Sequence, residues 1–79
     1  MEIKVLGTGC PRCKALEQAV INVLAETDIA ADVSKVDDIV KIIEYGVMHT
    51  PGLVINGKLV MSGRVPSPSE LKKIITSNQ

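Results

Sequence analysis

The 79-residue chain has no Phe and no Trp, and Tyr45 is its only aromatic residue. Without aromatic platforms, a role built on stacking unpaired bases is excluded. There is no excess of charge of either sign: nine basic residues balance nine acidic ones, for a formal net charge of zero. A protein whose task is to neutralise phosphates or adhere to an anionic membrane is not built this way. Long apolar runs are missing too. The opening "MEIKVLG" is too short for a secretory signal core, and no later stretch has the length to span a bilayer. The expectation is therefore a cytoplasmic protein with neither nucleic acid nor membrane as a partner. Cysteine is scarce as well, with only Cys10 and Cys13 present. Two are too few for a secreted disulfide framework, and a structural disulfide is not expected to persist in the cytosol. A close pair in that setting points to redox chemistry or metal binding.

What is present is aliphatic. The length implies a single domain over residues 1–79. A chain of this size buries only about 60% of its unfolded surface, so its apolar residues must be used efficiently. Residues 2–6, "EIKVL", suit a short strand, which Gly7, Thr8 and Gly9 interrupt. From Pro11 the spacing becomes helical: Cys13, Leu16, Ala19, Val20, Val23 and Leu24 share one stripe, and the pattern fades near Thr27 and Asp28. Proline at a first helical position loses no hydrogen bond. Residues 29–36, "IAADVSKV", read as a second strand. Asp37 then serves as N-cap of a second helix with Ile39, Val40 and Ile43 on its buried face and Gly46 as its stop.

Two β-rich runs, "LVI" and "KLVM", flank Asn56-Gly57, the strongest short signal for a hairpin. Ser67-Pro68-Ser69-Glu70 has the form of a helix start, with Leu71, Ile74 and Ile75 as the apolar face that follows. The last residues, "TSNQ", are expected to fray. The order is β-α-β-α-β-β-α. Parallel β-α-β units followed by an antiparallel pair imply an α/β fold, a four-stranded mixed sheet with helices on both faces.

That order sharpens the reading of "TGCPRCK", Thr8 to Lys14. Cys10 falls at the N-cap of the first helix, where free N–H groups and the helix dipole favour a thiolate. Arg12 adds a positive charge beside it. Cys13 lies about one turn further on the same face, within reach for a disulfide, and its apolar stripe makes it the more buried of the two. Cys10 is then the attacking thiolate and Cys13 the resolving thiol of an exchange reaction. The competing reading is two ordinary buried thiols, which account for neither the Gly-Thr-Gly lead-in nor the proline between them.

With these elements placed, the chain resembles the thioredoxin-like superfamily, and within it the small glutaredoxin-sized thioredoxins of archaea and bacteria. Two stretches carry the resemblance: "GTGCPRCK" and residues 45–63, "YGVMHTPGLVINGKLVMSG". It implies the thioredoxin-like fold and thiol–disulfide oxidoreductase activity on protein disulfides. It also implies a cis Thr50-Pro51 bond beside the cysteines, with the Thr50 backbone offered to substrate and Pro11 and Arg12 flanking the site. On the residues alone, Pro51 fits a strand's first position and its bond is open to either isomer. No cofactor is implied beyond the Cys10–Cys13 pair, and the expected form is a monomer.

The departures from relatives are informative. Gly9 stands where thioredoxins have Trp, and Lys4 where they carry a buried carboxylate that assists proton transfer. Glutaredoxins resemble the chain through Cys-Pro-x-Cys, but they have Tyr at the place of Arg12 and Lys at that of Gly7. Ser62-Gly63 matches their Gly-Gly turn only in part. A thioredoxin-reductase-type flavoenzyme is thus the expected reductant rather than glutathione. The alternative from another class is a soft-metal chaperone holding Cu(I) or Zn(II) on the same two cysteines. Such chaperones end in a strand and carry Met where this chain has Thr8. His49, the one histidine, reads as a solvated rim residue, Thr8 as a turn residue, and Lys14, Lys72 and Lys73 as solvated helix faces. Tyr45 is expected at the end of the second helix with its hydroxyl at the surface, and Met48 and Met61 as gap fillers.

Overall fold

The computed structural model describes residues 1–9 and 11–78. Cys10 and Gln79, with the expectations placed on them, lie outside the described residues. The elements run β1 (Glu2–Leu6), α1 (Pro11–Thr27), β2 (Asp32–Val36), α2 (Ile39–Glu44), β3 (Gly52–Ile55), β4 (Lys58–Ser62) and α3 (Pro68–Ser77). They form one mixed sheet in the order β2-β1-β3-β4. β1 pairs parallel with β2 and antiparallel with β3, and β3 pairs antiparallel with β4.

The period of two along β1 sorts its side chains between the sheet faces. Ile3 and Val5 join Leu53 and Ile55 against α1 and α3, where Leu16, Val20, Val23, Leu71 and Ile75 complete the larger core. Leu6 and Val54 point the other way and meet Ile42 and Val47. β3 is covered on both sides, so all four of its residues are buried and the run reads "GLVI" without alternation. Asn56 and Gly57 both take positive φ, 51° and 81°, as a two-residue hairpin turn requires. One register irregularity between Leu53 and Val54 marks a bulge in the hairpin.

Three expectations about β2 and α2 need correction. The second strand begins at Asp32, not at residue 29, because the Ile29 N–H turns back to the Leu24 carbonyl (3.2 Å) and closes α1. The N-cap of α2 is Asp38 rather than Asp37: the Asp38 carboxylate accepts from the Val40 N–H at 2.9 Å. The expected buried face of α2 is also wrong. Ile42 is buried, whereas Ile39, Val40 and Ile43 are 54%, 59% and 63% exposed. A helix of six residues has too few turns to lay a stripe on the sheet, and it presents Ile42 alone.

Other ends match their signals. Gly46 stops α2 with a left-handed φ of 89° and donates to the Ile43 carbonyl at 2.8 Å. Ser67 caps α3, its hydroxyl accepting from the Glu70 N–H at 3.3 Å. Leu71 and Ile75 are fully buried and Ile74 packs beside them, as their spacing indicates. The fraying expected at "TSNQ" is not seen through Asn78. α3 persists to Ser77, and Thr76 and Asn78 return side-chain hydrogen bonds to carbonyls one turn back. No helix among the described residues is long and apolar enough to cross a membrane.

Candidate functional site

The site is built where β1 ends. Gly7 continues the pairing with β2 by donating to the Val36 carbonyl at 2.9 Å. It is also the floor on which Cys13 rests. A Cβ at Gly7 would strike the Cys13 Sγ and come within 2.9 Å of its Cβ. Only a residue with no side chain admits the sulfur there. The strand break read in the sequence is therefore a packing requirement, and the same position has no room for the lysine that glutaredoxins carry.

Cys13 occupies the first turn of α1 and is 5% exposed, and its sulfur is disulfide-bonded. Pro11, Arg12 and Lys14 around it are exposed, as are Thr8 and Gly9 in the lead-in. Cys13 is thus buried beneath an exposed rim, in keeping with its place on the apolar stripe of α1.

Pro51 arrives from the other side. Leu6 stands opposite Gly52 in the antiparallel register, so one further step sets Pro51 across from Gly7. The Thr50-Pro51 bond is cis, with Pro51 buried and Thr50 half-buried. Behind it, the Gly63 N–H donates to the Pro51 carbonyl at 2.8 Å. Gly63 has a φ of 83°, and a Cβ there would lie 3.4 Å from the Cβ of His49, which is itself exposed. The residues brought together are thus Cys13, Gly7 and Pro51, with Thr50 and Gly63 flanking.

Beside Thr50 opens a groove of about 510 Å³ lined by Ile39, Ile42, Ile43, Val47 and Met48. Met48 is 89% exposed, so it fills no gap in the core, in contrast to Met61 at 8%. The exposed side of α2 and this methionine therefore form an apolar surface that leads to the cis proline.

Two further polar clusters lie on β1 and after β4. Lys4 lies on the α2 side of β1, on the sheet face away from α1, with its Nζ 3.4 Å from both the Tyr45 hydroxyl and a Glu2 carboxylate oxygen. The Tyr45 hydroxyl, and then Glu2, hold the Lys4 ammonium above its ordinary pKa. Tyr45 is half-buried and its hydroxyl accepts this bond, so it is not simply a surface group. Arg64 makes a two-pronged pair with Glu70, at 2.7 and 2.6 Å. That guanidinium holds the Glu70 carboxyl below its ordinary pKa. Gly63, Arg64 and Glu70 were not singled out in the sequence beyond a turn and a helix start. The spacing of Arg64 from Glu70 matches no helical pairing rule, because the turn between them sets the contact. Among the described residues, no group of three or more His, Cys, Asp or Glu is arranged to hold a metal ion.

Comparison with known proteins agrees with this architecture. A family model described as a thioredoxin domain matches residues 1–76. The chain is 38% identical over 76 residues to a thioredoxin of Methanothermobacter thermautotrophicus, covering 96% of this chain and 99% of that one. It is 36% identical over 75 residues to a thioredoxin of Methanocaldococcus jannaschii, covering 95% and 86%. With the β-α-β-α-β-β-α sheet and the cis proline opposite the cysteine-bearing helix, these matches settle the family: the chain belongs to the thioredoxins and is a thiol–disulfide oxidoreductase.

Proposed function

We propose that the chain reduces protein disulfides through Cys10 and Cys13. The Cys10 thiolate attacks one sulfur of the substrate disulfide, forming a mixed disulfide and expelling a substrate thiolate that takes up a proton. The Cys13 thiolate then attacks the Cys10 sulfur, breaking the mixed bond and releasing the second substrate thiol. The substrate gains two electrons and the pair loses two, so no further cofactor takes part. The observation that carries this reading is the burial of Cys13 against Gly7 beneath an exposed Pro11-Arg12 rim.

In this reading the Thr50 main chain aligns the substrate beside Pro51, and the apolar surface of Ile39, Ile43 and Met48 receives its flanking residues. The lack of room for a side chain at Gly7, with Arg12 in place of Tyr, favours a thioredoxin-reductase-type flavoenzyme over glutathione as the reductant. The protein acts as a monomer in the cytoplasm. Turnover of a protein disulfide under each reductant tests the scheme. Cys10→Ser is expected to abolish turnover, and Cys13→Ser to accumulate a mixed disulfide with substrate. Full activity in Cys10→Ser would overturn the assignment of the nucleophile.

A further inference from the structure

Beyond β4 the chain turns through Gly63 to Pro66 before α3 begins. This turn backs the cis-proline segment through the 2.8 Å bond from the Gly63 N–H to the Pro51 carbonyl. The next residue, Arg64, sends Nη1 and Nη2 to the two carboxylate oxygens of Glu70 at 2.7 and 2.6 Å. Fork-to-fork pairing fixes direction as well as distance. Glu70 is three residues past the Ser67 cap, where a capping-box glutamate reaches back to the cap's own N–H. Here its carboxylate is turned to Arg64 instead. The helix that carries Glu70 is held by Leu71 and Ile75, both fully buried. The turn is thereby tied to a fixed element.

We propose that the Arg64–Glu70 pair is a positioning clamp for the exchange reaction: it holds the Gly63 turn to α3 and so places the Pro51 carbonyl and the adjoining Thr50 main chain for a protein substrate. The proposal rests on the function assigned above to Thr50 and Pro51. Both partners are largely solvated, with side chains 59% and 37% exposed, so their weight in global stability is small. Their effect is local. A protein substrate that must align along Thr50 senses a loosened turn, whereas a small disulfide that meets only the reactive thiol does not.

The test compares insulin, a protein disulfide, with 5,5′-dithiobis(2-nitrobenzoic acid), a small one, with dithiothreitol recycling the enzyme in the insulin assay. Arg64→Gln and Glu70→Gln are each expected to raise KM for insulin about two- to fivefold, the range an exposed but well-aligned pair supports. kcat and the rate with the small disulfide should stay unchanged. The double variant should match either single one, and Arg64→Glu/Glu70→Arg should recover much of the lost KM. Additive effects of the two single variants, or an unchanged KM in both, would overturn the clamp. Pro51→Ala, with Pro51→Thr as a second variant, separates the two levels. If these raise KM for insulin while Glu70→Gln does not, the clamp fails and the site stands. If they leave KM unchanged, the assignment of the Thr50-Pro51 segment fails.

Discussion

Residue by residue, the site depends on positions where a side chain is absent as much as on those where one acts. Gly7 shows this most directly, since the space a Cβ would take is already filled by the Cys13 sulfur. Gly7→Ala forces either the β1 end or the first turn of α1 to move. Overpacking of this kind costs about 1–3 kcal/mol. Denaturant unfolding of the oxidised protein should show an unfolding free energy lower by that amount, and an unchanged one would mean that Cys13 does not bear on Gly7. In the sequence, Gly7 reads only as a strand terminator, because the residue it must accommodate is six places away and the approach is tertiary. Cys13 and Pro51 were visible for the opposite reason. Cys13 lies on an apolar helical stripe and Pro51 at the head of a β-rich run, both local patterns.

At the scale of elements, most local end signals succeeded, and the one at the start of α2 fell a single residue early, at Asp37 instead of Asp38. The Ser67 cap, the Gly46 stop and the Asn56-Gly57 turn all appear where their residue types place them. α2 departs from its pattern because its length is limited by Asp38 on one side and Gly46 on the other. A periodic reading assigns a buried face to Ile39, Val40 and Ile43 without knowing that six residues leave room to bury only Ile42. The consequence is measurable. Ile42→Ala should destabilise the protein by about 2–5 kcal/mol, as loss of a fully packed side chain does. Ile43→Ala, on the exposed side, should stay within about 0.5 kcal/mol of wild type. Equal losses at the two positions would contradict the assignment of the helix face.

For the whole molecule, the mixed sheet does one thing that no single element can. Its β1–β3 register brings the end of β1, the start of α1 and the head of β3 to the same point, so residues far apart in the chain meet at one site. The order of elements was readable from alternating patterns and turn residues, and it implied both sheet faces; the family resemblance was carried by "GTGCPRCK" and residues 45–63. The pairing of the Gly63 turn with Pro51 was not readable, because a main-chain hydrogen bond leaves no mark in side-chain identity. The central claim is that the two cysteines form one redox unit. A redox titration of the purified protein, with thiols and metal counted at each potential, tests it most directly. The account predicts that two thiols disappear together in a single reversible transition, with the two-electron slope of about 30 mV per tenfold change in the reduced-to-oxidised ratio. Two thiols that titrate independently, or a stoichiometric metal with no accessible disulfide, would contradict it.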